Sequence, residues 1–152
     1  MAEKKPQTFA NHTRLDPLYH FFVLPLFGLA LVASFIHFFA HIGHGDFRDH
    51  FHAFVLILLA LAFMLLALKT RFYALKVQDR VIRLEERLRL ASLLPEPTRS
   101  RIPELTEGQL IALRFASDAE VAGLAERALN EKLSPADIKK ATQNWRPDYW
   151  RV

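Results

Sequence analysis

Residues 51–94 read FHAFVLILLALAFMLLALKTRFYALKVQDRVIRLEERLRLASLL, with neither glycine nor proline among them. Phe51–Leu68 carries no charged side chain, and from Lys69 the same unbroken run becomes rich in Arg, Lys and Glu. The hydrocarbon core of a bilayer is about 30 Å thick and takes about 20 residues of α-helix. One helix is therefore expected to cross a membrane and continue beyond it. It should begin near Phe47 and end at Leu94. There Pro95 and Pro97 remove backbone donors and disfavour helix in the residues before them. At 1.5 Å per residue such a helix is about 70 Å long.

Outward from this stretch, toward the N-terminus, lies a second apolar run, Leu18–Ile42, with Pro25 and Gly28 inside it as points of tilt or kink. A secretory signal peptide has an apolar region of only about 7–15 residues, so this longer run reads as a retained anchor. Asp16-Pro17 has the form of a helix start, with Asp as the N-cap and Pro at the first helical position. Gly43 and Gly45 should end the first helix, and Asp46 with Asp49 three residues on should open the second in a capping-box arrangement. The turn between them is so short that the two spans, 18–42 and 47–68, must pack antiparallel. Lys4, Lys5, Arg14, Lys69, Arg71, Lys76, Arg80 and Arg83 flank the spans on one side, whereas the loop 43–50 carries Arg48 against Asp46 and Asp49. Short flanks rich in Lys and Arg stay in the cytoplasm, which places both termini inside.

The expected fold is thus an all-α membrane protein. An interfacial N-terminal segment (1–17), with Phe9, Leu15 and Tyr19 at headgroup level, leads into a transmembrane hairpin (18–68). A cytoplasmic extension of the second helix (69–94), a linker (95–104) and a small helical tail (105–152) follow. In the tail, Thr106 with Gln109, Ser117 with Glu120, and Ser134-Pro135 with Asp137 announce three short helices by their caps. Leu110, Leu113, Phe115, Val121, Leu124, Leu129, Leu133 and Ile138 are its candidate core, closed by Trp145, Tyr149 and Trp150. A core of this size is marginal alone, so it should lean on another part of the molecule.

The long helix carries a row spaced by sevens: Ala53, Ala60, Ala67, Ala74, Val81 and Leu88. Three residues after each come Leu56, Phe63, Thr70, Val77, Leu84 and Ala91. In water such a stripe is a coiled-coil seam; in lipid, small residues at a seam let backbones approach closely. The exchange of Ala for Val and Leu falls where the helix leaves the apolar stretch, as those two rules require. The stripe points to self-association or to docking of another long helix, with packing on the chain's own tail as the competing reading. Leu68, Phe72, Leu75 and Ile82 form a second apolar row that would widen the face.

Lys69, Arg71, Lys76, Arg80, Arg83, Arg87 and Arg89 outnumber Asp79, Glu85 and Glu86, and juxtamembrane basic residues are attracted to anionic headgroups. Lys69, Arg71, Lys76 and Arg80 are the leading headgroup contacts, and the nearness of lipid argues against nucleic acid as the partner of this charge. All seven His precede residue 53. His37 and His41 share a helix face, and His50 and His52 begin the next helix. With Asp46 and Asp49 they hold donors enough for a transition metal or an axially ligated haem, against the plainer reading of interfacial aromatic side chains that bind no cofactor. The chain has no Cys, so thiolate sites, iron–sulfur clusters and a Cys nucleophile are ruled out, and with no glycine-rich phosphate loop an enzyme is not expected.

Three stretches carry a likeness: Phe9-Ala-Asn-His-Thr-Arg14 with Asp16-Pro-Leu-Tyr-His-Phe-Phe22, the rod segment Leu75-Lys-Val-Gln-Asp-Arg-Val-Ile-Arg-Leu-Glu-Glu-Arg-Leu-Arg89, and Asn144-Trp-Arg-Pro-Asp148. Over nearly its whole length the chain resembles an uncharacterised family of small bacterial membrane proteins with two spans. The resemblance implies a bacterial plasma-membrane protein and brings with it no activity, cofactor or catalytic residue. The expected function is a non-catalytic membrane-anchored scaffold or accessory subunit. It would be a homo-oligomer or part of a larger membrane complex and would present its tail to a cytoplasmic protein. The alternative is a metal- or haem-binding subunit built on His37, His41, His50 and His52.

Overall fold

The computed structural model describes residues 6–149, and all its elements are helical. A π-helical turn, Tyr19–Val23, runs into α1 (Leu24–Ala40); α2 is Phe47–Leu93. A 3-10 helix, Arg99–Glu104, precedes α3 (Glu107–Leu113), α4 (Asp118–Asn130) and α5 (Pro135–Ala141). Among the described residues strand pairing is confined to one antiparallel bridge, Ala116 with Trp145. Lys4, Lys5 and Trp150 lie outside the described residues.

The chain divides into two compact units. Leu15–Leu75 forms one; the residues up to Arg14 and those from Lys76 onward form the other.

In the first unit, Asp16 starts the helix by accepting a hydrogen bond from the Tyr19 amide at its Oδ1 (3.1 Å). Tyr19–Ala40 and α2 are both long and apolar enough to cross a membrane, and only 6% and 11% of their most apolar windows are buried within the chain. The core helix of a soluble protein would be mostly covered. The two helices meet where the Tyr19 hydroxyl donates to the Ala67 carbonyl (3.2 Å) and where the Phe27 and Phe63 rings stack 6.0 Å apart. Gly43 takes φ +84°, a conformation that ends the first helix without a Cβ penalty. At Gly45 a Cβ would lie 3.2 Å from the His41 backbone oxygen and 3.3 Å from the Asp49 Cβ, so the turn closes where a side chain would crowd it. The Asp49 amide donates to Asp46 Oδ1 (3.0 Å) and the Asp46 amide to Asp49 Oδ2 (3.4 Å). The box expected from the sequence is thus present with Asp in both places.

In the second unit, α3, α4 and α5 begin at Thr106, Ser117 and Ser134. They enclose Leu110, Leu113, Val121, Leu124 and Ile138, with Phe115 fully buried beside them. Leu90 and Leu94, at the end of α2, are wholly buried in the same core. A buried Leu contributes about 1.5–3 kcal/mol, and the marginal tail leans on these two. Residues 95–104 do more than link: Ile102, with Leu105 directly after them, closes that core, because a 3-10 turn lets Pro103 sit in a helical segment while its neighbour points inward. The first described residues join this unit as well. The His12 ring lies 5.7 Å from Phe115 and 5.8 Å from Trp145, and Phe9 stacks on His12. Phe9 therefore packs beside the tail while remaining partly exposed.

Candidate association surface

Between Lys76 and Leu94 two faces of α2 have opposite environments. Val77, Val81, Leu84 and Leu88, spaced four, three and four apart, are 61%, 48%, 60% and 65% exposed. Ala91 continues the series and is also exposed. Side chains at these spacings line one stripe. Ile82, Glu86, Leu90 and Leu94, spaced by fours, are buried on the other side. Glu86 follows Leu84 by two residues, which is about 200° around a helix of 3.6 residues per turn. The tail thus covers the back of α2 and leaves the seam uncovered, so packing on the chain's own tail does not account for the stripe.

A polar network holds that back face. The Arg89 guanidinium donates to Glu86 Oε1 (2.9 Å), to Asp118 Oδ1 (2.6 and 2.9 Å) and to the Ala116 carbonyl (2.7 Å). It joins α2 to the start of α4. Burial pushes the Glu86 carboxyl above the ordinary glutamate range, against the pull of Arg89 and of the more distant Arg146. Arg83 pairs with Glu107 at the start of α3. Arg83 and Arg89 are therefore internal partners, although their place in a basic run suggested headgroups. Of the leading headgroup candidates, Lys76 and Arg80 are exposed. Lys69 lies over the Tyr73 ring at 5.6 Å and the Arg71 guanidinium over Tyr19 at 5.6 Å.

The stripe differs in the apolar half of α2. Ala53 and Ala60 are buried, at 0% and 8% exposure. Ala67 receives the Tyr19 hydroxyl on its carbonyl and Phe63 meets Phe27, so this half faces the chain's own first helix. Leu56 and Phe63 remain about half exposed, Thr70 turns its hydroxyl back to the Leu66 carbonyl (2.8 Å), and Ala74 is exposed. On a straight helix a seven-residue row drifts by about 20° per heptad, so the stripe does not keep one azimuth along the whole of α2. Leu68, Leu75 and Ile82 each directly follow a stripe residue, about 100° round the helix, and Phe72 lies on their side. Of that second row Leu68 and Phe72 are exposed, whereas its last member, Ile82, is buried.

The four histidines are not gathered into one ligand set. His37 and His41 come together, with ring centroids 4.4 Å apart. His41 donates from Nδ1 to the His37 carbonyl (2.8 Å), and His50 does the same to the Asp46 carbonyl (2.7 Å). These local bonds hold each ring against its own helix. Among the described residues no three His, Asp or Glu side chains are grouped to hold a metal ion. Sequence reasoning missed two other sites. Gln109 is an N3 cap residue whose buried amide also donates to the carbonyls of Ala128 (3.1 Å) and Leu133 (3.0 Å). The Glu120 carboxylate accepts from the amides of Gln143 and Asn144 at 3.2 and 3.1 Å. Only the cap spacing was visible in the sequence.

Fold and surface together define an all-helical protein with two helices of membrane-spanning length and a small helical tail built on the second. The chain belongs to DUF6526, a family of unknown function, whose match covers residues 1–152. No curated protein and no solved structure matches it.

Proposed function

We propose that this protein is a non-catalytic, membrane-anchored scaffold or accessory subunit of a bacterial plasma membrane. It associates with a second copy of itself through the exposed seam of α2 and presents its tail to a cytoplasmic partner. Tyr19–Ala40 and the apolar half of α2 form an antiparallel hairpin in the bilayer, and α2 continues into the cytoplasm. The pairing of Tyr19 with Ala67 and of Phe27 with Phe63 supports the hairpin. So does the meeting of the segments that flank the two helices. Gln7 and Asp148 exchange two hydrogen bonds, and a chain that crosses a membrane twice has the segments before and after the crossings on one side. The basic flanks favour the cytoplasm for that side.

The observation that carries the reading is the uncovered row Val77, Val81, Leu84 and Leu88. A continuous apolar stripe in water marks an interaction surface. The mass of the protein purified in mild detergent tests it. The wild type is expected to be oligomeric and the double variant Leu84→Glu, Leu88→Glu monomeric, with the tail still folded because it sits on the opposite face. A monomeric wild type overturns the proposal.

A further inference from the structure

We infer that the seam pairs two copies in parallel and in register, as a two-stranded coil over Ala74–Ala91, with Arg80 of each copy beside the partner's Glu85. This rests on the association proposed above and adds its stoichiometry, direction and register.

Spacing assigns the positions. Ala74, Val81 and Leu88 take the first apolar place of each heptad, and Val77, Leu84 and Ala91 the second. Val81 in the first place followed by Leu84 in the second is the combination that favours two strands. The flanking residues then decide direction. Arg80 and Arg87 each precede a first-place residue, whereas Gln78, Glu85 and Ser92 follow second-place ones. In a parallel pair, a residue of the first kind lies beside the partner's residue five positions on. Arg80 meets the partner's Glu85, and by symmetry this happens twice; Arg87 meets the partner's Ser92. In an antiparallel pair like flanks meet, so arginines face arginines. Arg80, Glu85 and Arg87 are all exposed. Exposed ion pairs add little affinity, and their role here is to penalise the wrong arrangement.

Two further observations agree. Ile82, Glu86 and Leu90, on the back of the helix, are the positions the tail occupies, so each strand of the coil keeps its own tail on its outer side. Copies anchored in one membrane also share direction and depth. A seam of under three heptads is short for a free coiled coil, and confinement to the bilayer raises the effective concentration that holds it together.

The chain has no Cys, so single cysteines report one position each. Val77→Cys and Ala91→Cys, introduced separately into the full chain, are oxidised in native membranes. Each variant alone is expected to give disulfide-linked dimers. Adding Arg80→Glu should lower the Val77→Cys yield several-fold, and adding Glu85→Arg to that should restore it. Cross-linking only in a mixture of the two cysteine variants overturns the parallel arrangement while leaving self-association standing. A wild type that is oligomeric in detergent, with neither variant cross-linking alone or mixed, removes the seam as the contact. A restored yield that fails to appear overturns the Arg80–Glu85 pairing alone.

Discussion

Gln7 and Asp148, 141 positions apart, are joined by two hydrogen bonds: the Gln7 amide nitrogen donates to the Asp148 carbonyl (3.1 Å), and its oxygen accepts from the Asp148 backbone N–H (2.8 Å). One side chain thus satisfies both backbone groups of the distant residue, as a neighbouring strand would. Arg14 adds a bond to the Tyr149 carbonyl, and His12 packs against the Phe115–Trp145 pair. The N-terminal segment is part of the tail's closure.

Gln7→Ala should therefore loosen the end of the chain without unfolding the tail. Hydrogen exchange of the Asp148 amide is expected to accelerate at least several-fold, while amides in α4 keep their protection. Unchanged exchange at Asp148 would show that the contact does not hold in solution.

Arg89→Ala removes three partners at once and leaves Glu86, 2% exposed, without its cation. Breaking a buried pair by removing one member costs about 3–5 kcal/mol. Urea unfolding of the tail, followed by the fluorescence of Trp145 and Trp150, should show a loss of that order. A loss below about 1 kcal/mol, the worth of an exposed pair, would place Arg89 in solvent.

Glu86→Gln separates charge from hydrogen bonding, since Gln retains an oxygen for Arg89. Burial raises the folded-state pKa of Glu86 above its unfolded value, so the folded tail binds this proton more tightly than the unfolded chain. The stability that the group contributes is full below the unfolded value and is lost as pH rises through the folded one. Relative to Glu86→Gln, the wild type should lose stability as pH rises from the ordinary glutamate range through the raised value. The measurement is the difference in urea midpoint between the two proteins across that window. A difference that grows in the wild type's favour with rising pH contradicts the raised pKa.

Gly108→Ala should destabilise the contact between α3 and α5. A Cβ there would lie 2.8 Å from the Pro135 Cγ, closer than real contacts allow, and a proline ring cannot swing away. The thermal midpoint is expected to fall by several degrees, corresponding to about 1–3 kcal/mol for overpacking. An unchanged midpoint would mean that the two helices separate at no cost.

Membrane orientation follows from single cysteines. His44→Cys should react with an impermeant maleimide on intact spheroplasts, and Glu131→Cys only after lysis. The reverse pattern inverts the proposed topology, and labelling of both on intact cells removes the hairpin.

Local signals were legible because their physics is local. Each cap at Asp46, Thr106 and Ser134 is satisfied within one turn, and the helix limits at Gly43 and Pro95 depend on backbone conformation alone. The Arg89 network was not legible, because Asp118 and Ala116 lie 29 and 27 residues away, and nothing in a basic run separates an internal guanidinium from an exposed one. For the histidines, local spacing brought the His37 ring to His41, whereas the relation of either to His50 and His52 depends on the turn and could not be read from spacing.

The sequence alone determined that α2 is one long helix with apolar residues on two faces, since period and uninterrupted helical propensity are properties of the chain. It also set the seven-residue row. Only the tertiary structure decided that Ile82, Glu86 and Leu90 receive the tail while Val81, Leu84 and Leu88 stay uncovered. Both rows carry apolar residues, and the covered one is the row whose Leu90 joins the tail core, on the side where Arg89 and Arg83 pair with the distant Asp118 and Glu107.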